Sequence, residues 1–355
     1  MDIQELLTVA VTRNASDLHI VSGHLPTIRV QGELHPLVTY PEITADEIEK
    51  MVFSLLTGTQ KDLLVTNREL DFSVVYEFEG GRTVRFRTNA YYQKGTLAAA
   101  FRVIPGIVPT LSELHLPADL IEFTKLKQGL VLITGATGQG KSTTLASLIN
   151  EINKSRRVHV VTIEDPIEYV YPKEKAMISQ REMYGDTHSW ASALKVVLRE
   201  DPDVVFIGEM RDLETVASVL TIAETGHLVF STLHTNTAAQ TIDRIIDIFP
   251  PVKQDQVKLQ LSMVLAGTVT QRLVPGVDGM RLPVCEVLVG TASIKNTLRE
   301  GKTHLIDNII QTSSDVGMRL FEEDLKDKVK NNLITHEVAL EYAFRPDTYL
   351  QLIER

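Results

Sequence analysis

The sequence predicts an α/β fold, with a small α+β domain followed by a larger domain built on a mostly parallel sheet flanked by helices. Three observations predict it. Strand-like and helix-like segments alternate in the N-terminal part, where Gly80 and Gly81 mark a hairpin turn. Prolines then interrupt regular structure. From Gly129 onward, short β-branched runs alternate with helical patterns, as in domains with a parallel sheet.

The N-terminal domain is predicted over residues 1–104. Its hydrophobic patterns indicate four elements, namely strands at 18–21, 27–30 and 70–78 and a helix at 44–56. The segments 72–76 and 83–87 are predicted to pair across the glycine turn as a hairpin. These elements make a small α+β domain.

A linker is predicted over residues 105–117, because Pro105, Gly106 and Pro109 interrupt regular structure and Pro117 opens the next segment. The second domain is predicted over residues 118–355, and we expect it to be RecA-like. From about residue 293 its pattern becomes helical, with amphipathic pieces at 320–329 and 338–342. This tail is expected to dock either on its own core or on a neighbouring subunit.

Length, net charge and cysteine content restrict the classes of protein to which this chain can belong. The 355 residues are enough for two domains, since single cores usually stop growing near 250–300 residues. A formal charge of −10 disfavours a protein whose main task is to bind nucleic-acid phosphates, so we expect no nucleic-acid partner. The single cysteine, Cys285, fits a buried apolar role in a reducing compartment.

The N-terminus has neither a basic region nor a long apolar region of the kind found in secretory signals. No apolar run approaches the roughly 20 residues that span a bilayer. We therefore expect a cytoplasmic protein without direct membrane insertion, which reaches a membrane only through a partner.

Residues 135–142 fit the pattern G-x-x-x-x-G-K-[ST] between an apolar run at 130–133 and a helix-like segment at 143–149. Glycines let backbone N–H groups close around phosphate oxygens, Lys141 neutralises the β/γ charge, and the Ser142 hydroxyl reaches Mg²⁺. The pattern indicates a P-loop that binds ATP with Mg²⁺. The predicted nucleotide-binding residues are Gly135, Thr137, Gly138, Gln139, Gly140, Lys141, Ser142 and Thr143.

Two acids follow strands that are expected to end at the same sheet edge. Glu209 comes after the strand at 204–207 and resembles a Walker B acid, while Glu164 follows the strand at 160–163. One acid can associate with Mg²⁺ while the other orients the attacking water. Glu164 is the favoured water activator and Glu209 the favoured metal-associated acid, and the reverse assignment stays open.

His234 follows a third strand, predicted at 228–233. An imidazole at the same sheet edge can sense the γ-phosphate or link it to the next subunit by hydrogen bonding. We therefore count His234 as the third candidate catalytic residue.

These motifs, in this order, resemble those of the secretion-superfamily ATPases that power type IV pili and type II secretion. The four matching segments are 135–142 (Walker A), 163–168 (aspartate box), 207–212 (Walker B) and 231–236 (histidine box). Within that superfamily the chain is most similar to the twitching-motility retraction ATPases, the PilT group, in segments 15–20, 28–34, 180–182 and 198–203.

The resemblance also indicates whether the chain would extend or retract a pilus. Extension ATPases usually carry a further N-terminal domain and a four-cysteine metal module, whereas this chain has only Cys285, which favours retraction. The segment 293–300 resembles a signature of the retraction group but departs from it at Ser293, Lys295, Thr297 and Leu298. A divergent paralogue is therefore an alternative.

By the resemblance, a PAS-like N-terminal domain and a RecA-like ATPase domain assemble into a homo-hexamer, with the region near Pro105 as the hinge. A neighbouring subunit would supply an arginine to the phosphoryl group, and the candidates are Arg85, Arg87 and Arg102. The implied partners are an inner-membrane pilus platform protein and other pilus ATPases, and the implied location is the inner-membrane face of the pilus machine.

Two rival functions remain at this point. One is a nucleotide-binding regulator that cycles slowly and modulates another motor of the pilus machine. The other is a RecA-like DNA translocase, which the core fold alone suggests and the acidic balance disfavours.

Overall fold

The computed structural model describes residues 1–30, 32–78, 83–104 and 106–354. The chain forms two compact units. The first comprises Met1–Ile107 with Glu168–Val170, and the second comprises Val108–Ile167 with Tyr171–Arg355. The role of residues 105–117 as a linker and hinge stays a prediction, and Pro105 itself lies outside the described residues.

The first unit contains a six-stranded sheet in the order β3-β2-β1-β6-β5-β4, in which all pairings are antiparallel. Its helices and strands are α1 (Ile3–Thr12), β1 (Asp17–Val21), β2 (Thr27–Val30), β3 (Glu33–Pro36), α2 (Ala45–Ser54), α3 (Gly58–Asn67), β4 (Glu69–Glu77), β5 (Thr83–Gln93) and β6 (Thr96–Ile104).

The strands and the helix predicted for this unit are confirmed to within two residues at each end. Helix α2 begins after Thr44, because the Thr44 hydroxyl accepts the Glu47 N–H while the Glu47 carboxylate accepts the Thr44 N–H. The hairpin pairing is confirmed by the antiparallel register of β4 with β5, which places Val74 opposite Phe86. The turn at Gly80 and Gly81 lies outside the described residues.

The first helical element of the second unit is a short 3-10 helix at Ala118–Ile121, and the sheet of this unit is covered by helices on both faces. Its elements up to the last strand are α4 (Glu122–Lys125), β7 (Gly129–Thr134), α5 (Lys141–Ser155), β8 (His159–Glu164), β9 (Met177–Glu182), α6 (Trp190–Val197), β10 (Val204–Ile207), α7 (Leu213–Glu224), β11 (Leu228–Leu233), α8 (Ala238–Asp247), α9 (Pro251–Val264), β12 (Leu265–Pro275) and β13 (Arg281–Val289).

The strand order in this unit is β13-β12-β7-β11-β10-β8-β9. All neighbours run parallel except β12 and β13, which are antiparallel. Every residue of β7, β10 and β11 is buried, as expected for strands covered on both faces. This confirms the predicted α/β class, and it brings the carboxyl ends of β7, β11, β10 and β8 side by side at one edge.

The C-terminal part is helical, as predicted. After β13 the helices are α10 (Ala292–Arg299), α11 (Ile306–Gln311), α12 (Phe321–Lys330), α13 (His336–Tyr342) and α14 (Pro346–Ile353). Phe321 and Tyr349 are fully buried in a cluster with Val274 of β12 and Val284 of β13. The tail therefore packs on the chain's own core, which is one of the two docking alternatives.

Cys285 is free and buried on β13, in agreement with the apolar role predicted for it. Burial raises the pKa of its thiol well above the usual range. Among the described residues, no helix combines the length and the apolar character needed to cross a membrane.

Candidate nucleotide-binding and hydrolysis site

The P-loop connects β7 to α5. Gly135, Gly138 and Gly140 have φ values of 139°, 79° and 80°, a region that residues with a side chain rarely adopt. A Cβ added to Gly135 would lie 2.2 Å from the backbone oxygen of Gln271. The backbone path of the loop therefore requires glycine at all three positions, and close approach to β12 also requires it at Gly135 and Gly140.

Lys141, the first residue of α5, is buried and folds back over the loop. Its Nζ donates to the backbone oxygens of Gly135 at 2.7 Å and Ala136 at 2.9 Å. The N-terminus of the 15-residue helix α5 adds its positive dipole end at the same place. Ser142 and Thr143 follow in the first turn of the helix, so the predicted nucleotide-binding residues form one continuous loop and helix start.

His234 connects this loop to the acid after β10. Its Nδ1 lies 3.4 Å from Oγ1 of Thr137, and its Nε2 lies 3.1 Å from Oε2 of Glu209. Burial lowers the pKa of His234, and the nearby charges of Lys141 and Arg211 lower it further. A neutral imidazole satisfies both contacts if Nε2–H donates to the carboxylate and Nδ1 accepts from the threonine hydroxyl.

Glu209 has a second partner on its other oxygen. The guanidinium of Arg211 forms an ion pair with Oε1 of Glu209. Hydrogen bonds from β11 to the end of β10 hold the backbone before this acid, since Thr232 Oγ1 donates to the oxygen of Gly208 at 2.6 Å. Both carboxylate oxygens of Glu209 are thus engaged by cationic or N–H donors.

Glu164 ends β8 and is buried. Its Oε1 accepts from Thr162 Oγ1 at 2.7 Å and from Gln180 Nε2 at 3.1 Å. The parallel register of β8 with β10 pairs Ile163 with Ile207, so Glu164 lies at the level of Gly208, one residue before Glu209. The structure therefore brings the three predicted catalytic side chains to the same edge of the sheet.

The three candidate arginines lie in the first unit. Arg85 and Arg87 are alternate residues of β5 and share a face of that strand, and Arg87 lies opposite Arg102 in the register of β5 with β6. Arg102 Nε donates to Asp17 Oδ1 at 2.9 Å within this unit. The assignment of any of the three to a neighbour's nucleotide stays a prediction.

Sequence reasoning did not identify Gln271 of β12. Its Nε2 donates to the backbone oxygen of Gln139 at 2.6 Å, and its Oε1 accepts from Thr144 Oγ1 at 2.6 Å. No local pattern marks this residue, because it contacts the P-loop only through the pairing of β12 with β7. Its sequence neighbours Thr270 and Arg272 are also polar, so the sequence of β12 gives no signal that Gln271 is buried.

The family described as type II/IV secretion system protein matches residues 1–327 of this chain. The chain belongs to this family. A Pseudomonas aeruginosa member described as "Type IV pilus retractation ATPase PilT" is 40% identical over 98% of this chain and 100% of its own length. Another protein of that organism, described as "Type IV pilus ATPase PilU", is 38% identical over 97% of this chain and 89% of its own.

Among solved structures, the protein in a crystal structure of the pilus retraction motor PilT with bound ADP is 42% identical in sequence to this chain. The TM-score is 0.91, and the match covers 99% of both chains. The similarity confirms the predicted resemblance and the predicted architecture, an N-terminal domain followed by a RecA-like ATPase domain. This secretion-family chain is accordingly an ATPase.

Proposed function

We propose that this chain is an ATP-hydrolysing motor that powers type IV pilus retraction and hence twitching motility. The observation that carries the proposal is the contact path from the P-loop through His234 to Glu209, in a chain that resembles PilT over its whole length. A γ-phosphate held by the loop would be next to Thr137, so its loss on hydrolysis changes the surroundings of this path.

The residues divide the chemistry between them. Loop N–H groups and Lys141 bind the phosphates, and a water attacks the γ-phosphorus while the bond to the β–γ bridging oxygen breaks and ADP leaves. Glu164 orients that water, and its hydrogen bonds from Thr162 and Gln180 hold the carboxylate in place. His234 and Glu209 lie on the contact path from the loop, so the loss of the terminal phosphate changes their surroundings. Glu164 thus keeps its role as the favoured water activator.

The oxygen donors beside the loop fit Mg²⁺. Ser142 supplies a hydroxyl directly after Lys141, and Glu209 supplies a carboxylate that His234 connects to Thr137. Hydroxyl, carboxylate and water oxygens are the ligands that Mg²⁺ prefers. We propose that Ser142 and Glu209 would hold the ion, which would supply positive charge to neutralise the phosphate oxygens during hydrolysis.

We further propose that the chain acts as a homo-hexamer at the cytoplasmic face of the inner membrane. Arg85, Arg87 or Arg102 of one subunit would stabilise charge on the nucleotide of the next. Domain motion about residues 105–117 would pass work to a pilus platform protein, alongside other pilus ATPases. Arg102 would have to exchange its contact with Asp17 to do so.

A direct test of the proposed catalytic role measures ATP turnover and ADP binding by purified variants. Purified wild-type protein should hydrolyse ATP in the presence of Mg²⁺, and Glu164→Gln should reduce turnover by about a hundredfold or more while ADP binding persists. Glu174→Gln, an exposed acid away from the sheet edge, is the matched control and should keep wild-type turnover. Turnover in Glu164→Gln equal to that of the wild type would contradict the proposed catalytic role.

A divergent paralogue is the second candidate, because the similarity to PilU is nearly as extensive as that to PilT. Deletion of the gene separates the two. Retained or excess surface pili without twitching supports the main retraction motor. Twitching that persists with an altered force or speed supports an accessory role, whether as a paralogous motor or as a slowly cycling regulator.

A further inference from the structure

We propose that Gln271 is a positioning residue that holds the P-loop in the shape that binds phosphate. The inference rests on the proposed ATPase function and extends the site to β12, a strand outside the predicted motifs. Gln271 is 3% exposed, and both ends of its side-chain amide are used at the loop and the helix that follows it.

The orientation of the amide is fixed by its partners. The backbone oxygen of Gln139 can only accept, so the side-chain NH₂ of Gln271 must face it. That leaves Oε1 of Gln271 toward Thr144, whose hydroxyl donates to it. The amide therefore joins the loop at Gln139 to the first turns of α5 at Thr144.

This contact determines where a loop N–H points. In a trans peptide the carbonyl of Gln139 and the N–H of Gly140 lie on opposite sides. Because Gln271 holds the Gln139 oxygen toward β12, the Gly140 N–H is directed away from that strand. Backbone N–H groups of the loop are the donors that surround a bound phosphate, so Gln271 presets one of them.

A second contact from the same strand supports the first. The backbone N–H of Leu273 donates to Oε1 of the Gln139 side chain at 2.6 Å. One residue before Gln271, Thr270 lies opposite Thr134 in the parallel register, with their hydroxyls 2.9 Å apart. Gln139 is thus held by its main chain and by its side chain, and β12 is aligned with the end of β7.

The energetic consequence concerns binding. A loop already held in its bound shape loses less freedom when the nucleotide enters. Replacing Gln271 with an apolar residue leaves the Gln139 oxygen without this donor and frees the peptide to rotate. The loss of one such buried hydrogen bond corresponds to roughly a tenfold change in affinity.

The test uses the full chain and Gln271→Met, which keeps the volume and adds no charge. We expect the Kd for ADP, measured by titration calorimetry well below the melting temperature, to rise about tenfold, and the KM for ATP to rise in parallel. The kcat at saturating ATP should stay within about threefold. Gln260→Met is the matched control, because Gln260 donates to Glu224 on α9 and α7, away from the loop.

A smaller change covers the case in which Gln271→Met fails to fold. Thr144→Val removes the donor to Oε1 at nearly constant shape, and its Kd for ADP should rise by about fivefold. A lower melting temperature with an ADP Kd within twofold of the wild type would show a merely structural residue and overturn the inference. Failure of the wild type to bind ADP would instead overturn the proposed function.

Discussion

His234 Nε2 lies 3.1 Å from Oε2 of Glu209, although the two residues follow different strands. The other ring nitrogen, Nδ1, lies next to Thr137, so one imidazole connects the P-loop to Glu209. A change of charge at the terminal phosphate of a bound nucleotide would therefore act through His234 on Glu209 and on Arg211, the ion-pair partner of Glu209.

Replacement of His234 with alanine should interrupt this path. We expect steady-state ATP turnover to fall by at least about tenfold, because the contact to the loop is lost while the P-loop itself is intact. The ADP affinity should change by less than about threefold, since neither Lys141 nor the loop glycines are altered. His304→Ala, an exposed histidine in the C-terminal part, is the control, and equal turnover in both variants would contradict the prediction.

The lowered pKa of His234 gives a pH dependence with a definite sign. An ordinary histidine is half protonated near pH 6.5, whereas burial and the charges of Lys141 and Arg211 shift the pKa of His234 below that value. Turnover that needs the neutral ring should therefore fall to half of its plateau value only below pH 6.5. The folded state also loses stability as the pH falls below 6.5, because the unfolded chain binds this proton more readily.

Arg211→Gln provides the check on that pH dependence. It removes one of the charges that lower the pKa of His234, so the decline in kcat should begin at a higher pH than in the wild type. Arg199→Gln, at an exposed position, should leave the profile unchanged. A wild-type profile that falls to half of its plateau value above pH 6.5 would be incompatible with the lowered pKa.

Arg345 should be important for the stability of the C-terminal part. Its guanidinium contacts Asp307 and the fully buried carboxylates of Glu286 and Glu322, and Glu286 also accepts the Ala238 N–H at the start of α8. Arg345→Met leaves two buried acids without their cation, which typically costs about 3–5 kcal/mol. Urea unfolding measures the loss, and Lys302→Met, in an exposed ion pair with Glu300, should change the midpoint little.

Acid should restore part of that loss. Burial raises the pKa of Glu286 despite its contacts with Ala238 and Arg345, and removal of the arginine raises it further. The variant therefore takes up a proton as the pH falls, and its deficit relative to the wild type should narrow between neutral pH and the ordinary glutamate pKa of about 4.3. A deficit that is constant over this range would argue against an unpaired acid.

Gly135→Ala should abolish nucleotide binding without a change in charge. The φ of 139° disfavours any side chain. The added Cβ would lie 2.2 Å from the backbone oxygen of Gln271, so the loop must move away from β12. We expect the Kd for ADP to rise by about a hundredfold or more. Gly58→Ala, where a Cβ meets open space, is the control, and retention of wild-type affinity by Gly135→Ala would show that the loop adapts.

The sequence by itself determined the local features of the site. The P-loop is contiguous, and its glycine, lysine and serine types follow from phosphate chemistry, so residues 135–142 were identified with no knowledge of the fold. The placement of Glu164, Glu209 and His234 at one edge was also predictable, since each follows an apolar strand and parallel strands end together. The buried role of Cys285 needed no more than its solitary occurrence.

Only the tertiary structure decided the contacts between distant segments. Periodicity shows that a strand is buried but not which strand lies beside it, so β12 and its residue Gln271 were not connected to the P-loop before the fold was known. The same holds for Arg345, whose acidic partners come from β13, α11 and α12. Such pairings depend on burial and hydrogen bonding summed over the whole chain, and no local segment of sequence contains that information.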